Sequence, residues 1–130
     1  MDPIDWPAVI AAPFLAVIVG LVWYGPVFGP ASGAGAPRPG KAGGIIGALV
    51  LNALPALMLG HAFARIGAVK LAARPWLYWM QSGGIAMALI VPALWIAYAR
   101  LGVPRRDALV DAGYWIVTFL AIGTLFWVLG

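Results

Sequence analysis

Four polar side chains that could do chemistry lie within or beside long apolar stretches of the chain: Asn52, His61, Asp107 and Asp111. Polar groups inside a bilayer are energetically costly, and they therefore mark candidate functional sites. Asp107 and Asp111 are one helical turn apart and face the same side, so the pair could relay a proton or a cation. The structural alternative is that both carboxylates cap the helix and pair with the adjacent Arg105 and Arg106.

Asn52 and His61 occupy one apolar stretch and have both functional and structural interpretations. Asn52 could contact a ligand or an ion in the centre of a bundle, or it could hydrogen-bond between helices to the carbonyl group freed by Pro55. His61 could ligate haem iron or a chlorophyll magnesium, or it could bond to a lipid headgroup. No cofactor is predicted, although contact with pigment, quinone or lipid stays open.

The sequence predicts neither an enzyme nor a metal site. It contains no combination of nucleophile and base, no HExxH motif, no phosphate-binding loop and no cluster of three metal ligands. It has no cysteine and one histidine. Thiolate chemistry and a histidine-rich metal site within one chain are thereby excluded.

The elements that must position these residues are four apolar stretches. Hydrophobic residues make up 64% of the chain and charged residues 9%, far from the soluble average. A spanning helix needs about 20 apolar residues. The stretches predict four spans, at about 7–28, 42–64, 76–98 and 107–128. We therefore expect an all-α fold, namely a four-transmembrane-helix bundle that forms a single transmembrane domain over residues 1–130. We also expect Asp5 to cap the first helix, and a basic loop to run from Arg65 to Pro75.

The placement of basic residues predicts the topology. The net charge is +4, and the lysines and arginines lie beside the spans, as topology determinants do, which argues against a nucleic-acid partner. The first and third loops carry five basic residues: Arg38, Lys41, Arg100, Arg105 and Arg106. The second loop carries three: Arg65, Lys70 and Arg74. We expect a multi-pass protein of the bacterial inner membrane with both termini outside and no cleaved signal peptide.

Several residues are candidates for helix packing or for the membrane interface. Gly43 and Gly47 have the GxxxG spacing that allows close helix approach. The third span opens with Trp76, Tyr78 and Trp79 and closes with Trp95 and Tyr98, which is typical of an aromatic belt at each membrane surface. The end of the first span carries a candidate packing motif made of Trp23, Tyr24, Gly25, Pro26, Phe28 and Gly29.

This motif, G-x-x-W-Y-G-P-x-F-G from Gly20 to Gly29, resembles the N-terminal signature of bacterial membrane proteins grouped as domain-of-unknown-function family 1761. The last span of that family typically opens with a sequence similar to the Asp111-Ala112-Gly113-Tyr114 segment of this chain. The chain departs from the family pattern at 30–32, where a Trp is common, and at Trp115, where a His is common. The resemblance implies fold and location, and it carries no assigned activity.

Three functions follow as expectations. The first is a small accessory or structural subunit without catalytic activity. It would contact lipid and pack either against a larger membrane complex, such as a photosynthetic or respiratory one, or against copies of itself. The second is a small dimeric transporter or channel that uses Asp111. The third is a pigment-binding or haem-binding membrane protein that uses His61.

Overall fold

The predicted all-α architecture with four membrane spans is confirmed. The structure, a computed structural model, describes residues 2–28 and 42–130, and all regular elements in these ranges are helical. Four helical segments are long and apolar enough to cross a membrane: Trp6–Val27, Gly44–Ile66, Trp76–Leu101 and Arg105–Leu129. Their ends agree with the predicted spans to within one helical turn. The protein is therefore a multi-pass membrane protein by helix length and composition.

In the part of the chain that the structure describes, six α-helices and two π-helical turns form these spans and the connection between spans two and three. In chain order they are α1 (Trp6–Val22), a π turn (Trp23–Val27), α2 (Ala42–Ile66), α3 (Ala68–Ala73), α4 (Trp76–Ile85), a π turn (Ala86–Ile90), α5 (Val91–Leu101) and α6 (Arg105–Leu129). The helix α1 begins as predicted, because Asp5 is its N-cap and Asp5 Oδ1 accepts the Ala8 N–H at 3.2 Å. This bond satisfies one of the free N–H groups of the first turn.

The predicted loop from Arg65 to Pro75 is wrong in part, because it contains the short helix α3. Gly67, at φ 94°, separates α2 from α3 in a conformation that favours glycine. Asp2 stabilises the turn between α2 and α3 through two hydrogen bonds. Its N–H donates to the Ala64 carbonyl at 3.0 Å, and its Oδ2 accepts the Ala68 N–H at 2.5 Å. A helix of this length gives no periodic signal, so composition alone predicted a loop.

Spans one and four form the centre of the bundle. The helix α1 packs against α2 and α6, and α4 packs against α6, so the order across the bundle is span two, span one, span four, span three. Ala8, Ala12 and Ala16 are fully buried and repeat every four residues along α1. Lipid is as apolar as leucine, so such small side chains, which permit close backbone approach, decide helix pairing.

The close approach of span two to span one occurs at Gly60. A Cβ placed on Gly60 would lie 2.6 Å from Val9 Cγ2, so only glycine fits there without a shift. By contrast, a Cβ on Gly47 would meet no atom within 4 Å. The surroundings of Gly43 lie outside the described residues. Gly47 of the predicted GxxxG pair therefore does not pack against the other described spans of this chain. If it packs against a helix, that helix belongs to another molecule.

Candidate functional site

Asp111 is a buried acidic side chain in the fourth span. Only 7% of its surface is exposed. It lies six residues into α6 from Arg105, or about 9 Å along the helix at ~1.5 Å per residue. A carboxylate in such an apolar setting is stable only when hydrogen bonds satisfy its oxygens. Its partners therefore determine what it can do.

Both oxygens of Asp111 accept hydrogen bonds from tyrosine hydroxyls. The Tyr24 hydroxyl donates to Oδ1, and the Tyr98 hydroxyl donates to Oδ2 at 2.6 Å. Tyr24 belongs to the first span and Tyr98 to the third. One carboxyl group thus joins three of the four spans. We call Tyr24, Tyr98 and Asp111 the tyrosine–aspartate cluster.

The π turn at the end of the first span places Tyr24. The Phe28 N–H donates to the Trp23 carbonyl at 2.9 Å, a bond that spans five residues rather than four. Pro26 lies in this turn. Its ring lacks an N–H and would collide with the Val22 carbonyl in a regular α-helix, and the wider turn relieves that contact. The helical segment therefore continues through Pro26 to Val27.

A second π turn precedes the segment that carries Tyr98. Here the Val91 N–H donates to the Ala86 carbonyl, and Pro92 follows in the first turn of α5. The physical cause is the same, because a wider turn avoids a collision between the proline ring and the carbonyl four residues earlier. Both tyrosines of the cluster thus belong to spans that a proline has locally widened.

Trp23 fixes the first span against the fourth beside the cluster. Its indole N–H donates to the Val110 carbonyl at 3.0 Å. A Cβ on Gly113 would lie 2.9 Å from Trp23 Cζ2, so the indole ring packs on the glycine surface. The lack of a side chain at Gly113 therefore creates the space that Trp23 fills.

Tyr114 adds a further contact between the same two spans. Its hydroxyl donates to the Ala16 carbonyl at 3.0 Å. Its ring lies 5.4 Å from the ring of Tyr24, measured between centroids, and packs on Gly20. Residues from 20 to 24 and from 110 to 114 thus form one continuous contact.

The other predicted polar residues lie away from this cluster. Asn52 is buried, and its Nδ2 donates to the Ala48 carbonyl at 2.8 Å within its own helix. The predicted interhelical bond to the carbonyl freed by Pro55 is therefore not the one formed. His61 is exposed on the outside of α2. Pigment or haem binding through His61 stays a prediction.

Asp107 is in the first turn of α6, as predicted, and Asp111 lies one turn further into the helix. Both oxygens of Asp111 bond to tyrosines, so capping and pairing with Arg105 or Arg106 do not explain its position. Gly25, like Gly47, faces open space, and Gly29 lies outside the described residues. Among the described residues, no three His, Cys, Asp or Glu side chains form a group suited to a metal ion.

Sequence reasoning missed Tyr98 as a member of the site. Its position near the end of a span is typical of an interfacial aromatic belt, which is how the sequence was interpreted. Tyr98 is half-buried, and Tyr78, at the other end of the same span, is buried, with 8% of its surface exposed. A hydroxyl on one residue of an aromatic belt does not reveal whether the ring faces lipid or a neighbouring span.

Comparison with known proteins settles the family. The model of the family described as "Protein of unknown function (DUF1761)" matches residues 7–127. The chain belongs to this family. No curated protein and no solved structure matches the chain. In this DUF1761 protein the two segments that carried the resemblance, at the end of span one and the start of span four, are the segments that meet around Asp111.

Proposed function

We propose that this DUF1761 protein is a small, non-catalytic subunit of the bacterial inner membrane that packs against a larger membrane complex. The observation that carries the proposal is an open surface of small residues on the two outer spans. A Cβ on Gly44, Gly47 or Gly84 would meet no atom within 4 Å. In a bilayer, helix association depends on such small residues because apolar side chains gain nothing by leaving lipid.

The chemistry at Asp111 supports the same proposal. Both of its oxygens already bond to neutral hydroxyls of the same chain, so the carboxyl group links spans one, three and four. An internal link of this kind stabilises one arrangement of the bundle. It would present a rigid outer surface, with the first and third loops on the cytoplasmic side and both termini outside.

Enlarging the open glycines tests the proposal. In Gly47→Leu and Gly84→Leu, the new side chain would hold the partner helix away, and we expect the native complex to dissociate while the bundle stays folded. Ala53→Leu is the matched control, because Ala53 is exposed on another face of α2. The measurement is native electrophoresis of membranes in mild detergent, with identification of the proteins that migrate together.

Particles of wild-type protein that contain only this chain would contradict the accessory role and indicate a homo-oligomer. A glycine variant that migrates with the same partners as the Ala53→Leu control would show that these faces are not the interface. Unfolding of the variants is checked separately by size-exclusion chromatography of the purified protein.

A second function is supported by the burial of Asp111 itself. An acidic group inside a span is a candidate for coupling proton movement to transport. Asp111→Asn removes the titratable proton and keeps a similar shape, because the amide can accept from one tyrosine and donate to the other. For a transporter we expect loss of proton-coupled flux in vesicles with assembly intact. Unchanged flux together with an unchanged complex would exclude this alternative.

A further inference from the structure

We propose that the end of the bundle opposite the tyrosine–aspartate cluster binds an ammonium group, either of a lipid headgroup or of a free amine. A cavity of about 110 Å³ lies there between the N-terminal segment, α2, α3, α4 and the end of α6. Two carboxylates, Asp2 and Asp5, line it together with the Tyr78 side chain. The rest of its wall is mostly apolar and includes the rings of Phe63 and Phe126.

Asp5 has an oxygen that the described protein leaves without a hydrogen-bond partner. Asp5 Oδ1 caps α1, whereas Oδ2 is buried and has no donor among the described residues. A buried acceptor without a partner has lost its hydrogen bonds to water, and this loss is more costly when the acceptor is charged. A cation in the cavity would supply the missing donor and remove this cost.

Tyr78 provides a second, independent indication of a ligand. Its side chain is 8% exposed, and among the described residues its hydroxyl has no hydrogen-bond partner. Its ring packs against Phe63, with 4.9 Å between centroids, so the ring position is fixed. Tyr78 lines the cavity together with Asp5, and its hydroxyl can hydrogen-bond to a ligand there.

Tyr78 and Asp5 bring their oxygens close together beside the end of α6. A Cβ on Gly130 would lie 3.1 Å from the Tyr78 hydroxyl oxygen and 3.7 Å from Asp5 Oδ2, so these two oxygens are no more than about 7 Å apart. An ammonium group carries up to three N–H donors, so one such group in the cavity can donate to more than one acceptor.

The walls favour an organic cation over a bare metal ion. Small inorganic cations such as Mg²⁺ and Ca²⁺ prefer shells of six or more oxygens. Here aromatic and aliphatic side chains form most of the lining. Aromatic rings attract an organic cation through the negative charge of their faces. The cavity therefore fits the ammonium group and its attached methylene groups.

Exposed tryptophans place this cavity at the level of the lipid headgroups. Trp6, Trp76 and Trp127 lie at this end of the bundle and are about half exposed, with 53%, 54% and 48% of their surfaces accessible. Tryptophan is enriched at the boundary between hydrocarbon and water. Lys70 and Arg74, also exposed at this end, would donate hydrogen bonds to the phosphate of a zwitterionic headgroup.

Titration with ethylammonium chloride tests the site. The protein is purified in an amine-free detergent and phosphate buffer, and binding is measured by calorimetry. We expect one site per chain, weakened at least tenfold in Asp5→Asn and at least threefold in Tyr78→Phe. Asparagine is as good an N-cap as aspartate, so α1 should be kept. Tyr114→Phe, which removes a hydroxyl at the opposite end of the bundle, is the matched control and should bind as the wild type does.

Absence of binding, equal binding by Asp5→Asn and Tyr78→Phe, or equal weakening in Tyr114→Phe would overturn the proposal. Sodium chloride that binds with the same dependence on Asp5 would also overturn it, in favour of an inorganic cation. The source of the ammonium group is distinguished in nanodiscs of phosphatidylglycerol with and without phosphatidylethanolamine. If the ligand is a lipid headgroup, the apparent affinity for ethylammonium is at least tenfold lower in the nanodiscs that contain phosphatidylethanolamine. If the ligand is a free amine, the affinity is the same in both kinds of nanodisc.

Discussion

Asp111→Leu is expected to lower the free energy of unfolding by about 3 kcal/mol, because it removes the acceptor of two tyrosine hydroxyls in an apolar region. Hydrogen bonds between spans contribute about 0.6–2 kcal/mol each in membrane proteins. The Tyr24 and Tyr98 hydroxyls would in addition be left without partners. The measurement is reversible unfolding in mixed detergent and dodecyl sulfate micelles, followed by tryptophan fluorescence.

The triple variant Tyr24→Phe, Tyr98→Phe and Asp111→Leu is the control for this prediction. It removes donors and acceptor together, so no polar group remains unsatisfied. We expect it to recover to within about 1 kcal/mol of the wild type. Asp111→Asn should also stay within about 1 kcal/mol, because its amide can bond to both hydroxyls. A triple variant as unstable as Asp111→Leu would show that the cluster does not account for the loss.

Gly123→Ala is expected to destabilise the bundle by about 2 kcal/mol, because it enlarges a side chain at the contact between spans three and four. A Cβ on Gly123 would collide with the Ser82 hydroxyl oxygen, and it would lie 3.0 Å from the Tyr78 carbonyl oxygen and 3.3 Å from Ser82 Cβ. Backbone atoms cannot rotate away, so α4 and α6 must separate. The nearby hydrogen bond from Trp79 Nε1 to the Thr124 hydroxyl, at 2.8 Å, would then lengthen.

Gly84→Ala is the matched control, because Gly84 lies in the same span as Tyr78 and faces open space. Alanine is favoured over glycine in a helix by about 1 kcal/mol, so this variant should equal or exceed the wild type in stability. Both variants are compared by the midpoint of thermal unfolding in one detergent. Equal midpoints for Gly123→Ala and Gly84→Ala would contradict the close contact.

The limits of sequence reasoning are clearest in the third span. Its length and apolar composition predicted a membrane helix, and its terminal aromatics predicted a belt. Trp76 at its start is indeed about half exposed, but Tyr78 is buried and Tyr98 bonds to Asp111. Aromatic side chains suit both the membrane boundary and a helix interface. Residue type alone therefore could not separate these two positions.

Small residues show the same limit in helix pairing. The GxxxG pair at Gly43 and Gly47 was the visible motif, yet span two approaches span one at Gly60. Glycine is frequent throughout the chain, with 17 residues, so its spacing alone does not select one contact. Selection requires a matching shape on the neighbouring helix, and here Val9 supplies it.

The sequence by itself determined the number of spans, their ends to within one turn and the N-cap at Asp5, because these depend on local composition and on the thickness of the bilayer. Only the tertiary structure decided which spans are neighbours and what Asp111 bonds to. Apolar side chains gain little by exchanging lipid for protein, so the sequence carries no strong signal for the inward face of a helix. The cluster of Tyr24, Tyr98 and Asp111 appears only when spans one, three and four are packed together.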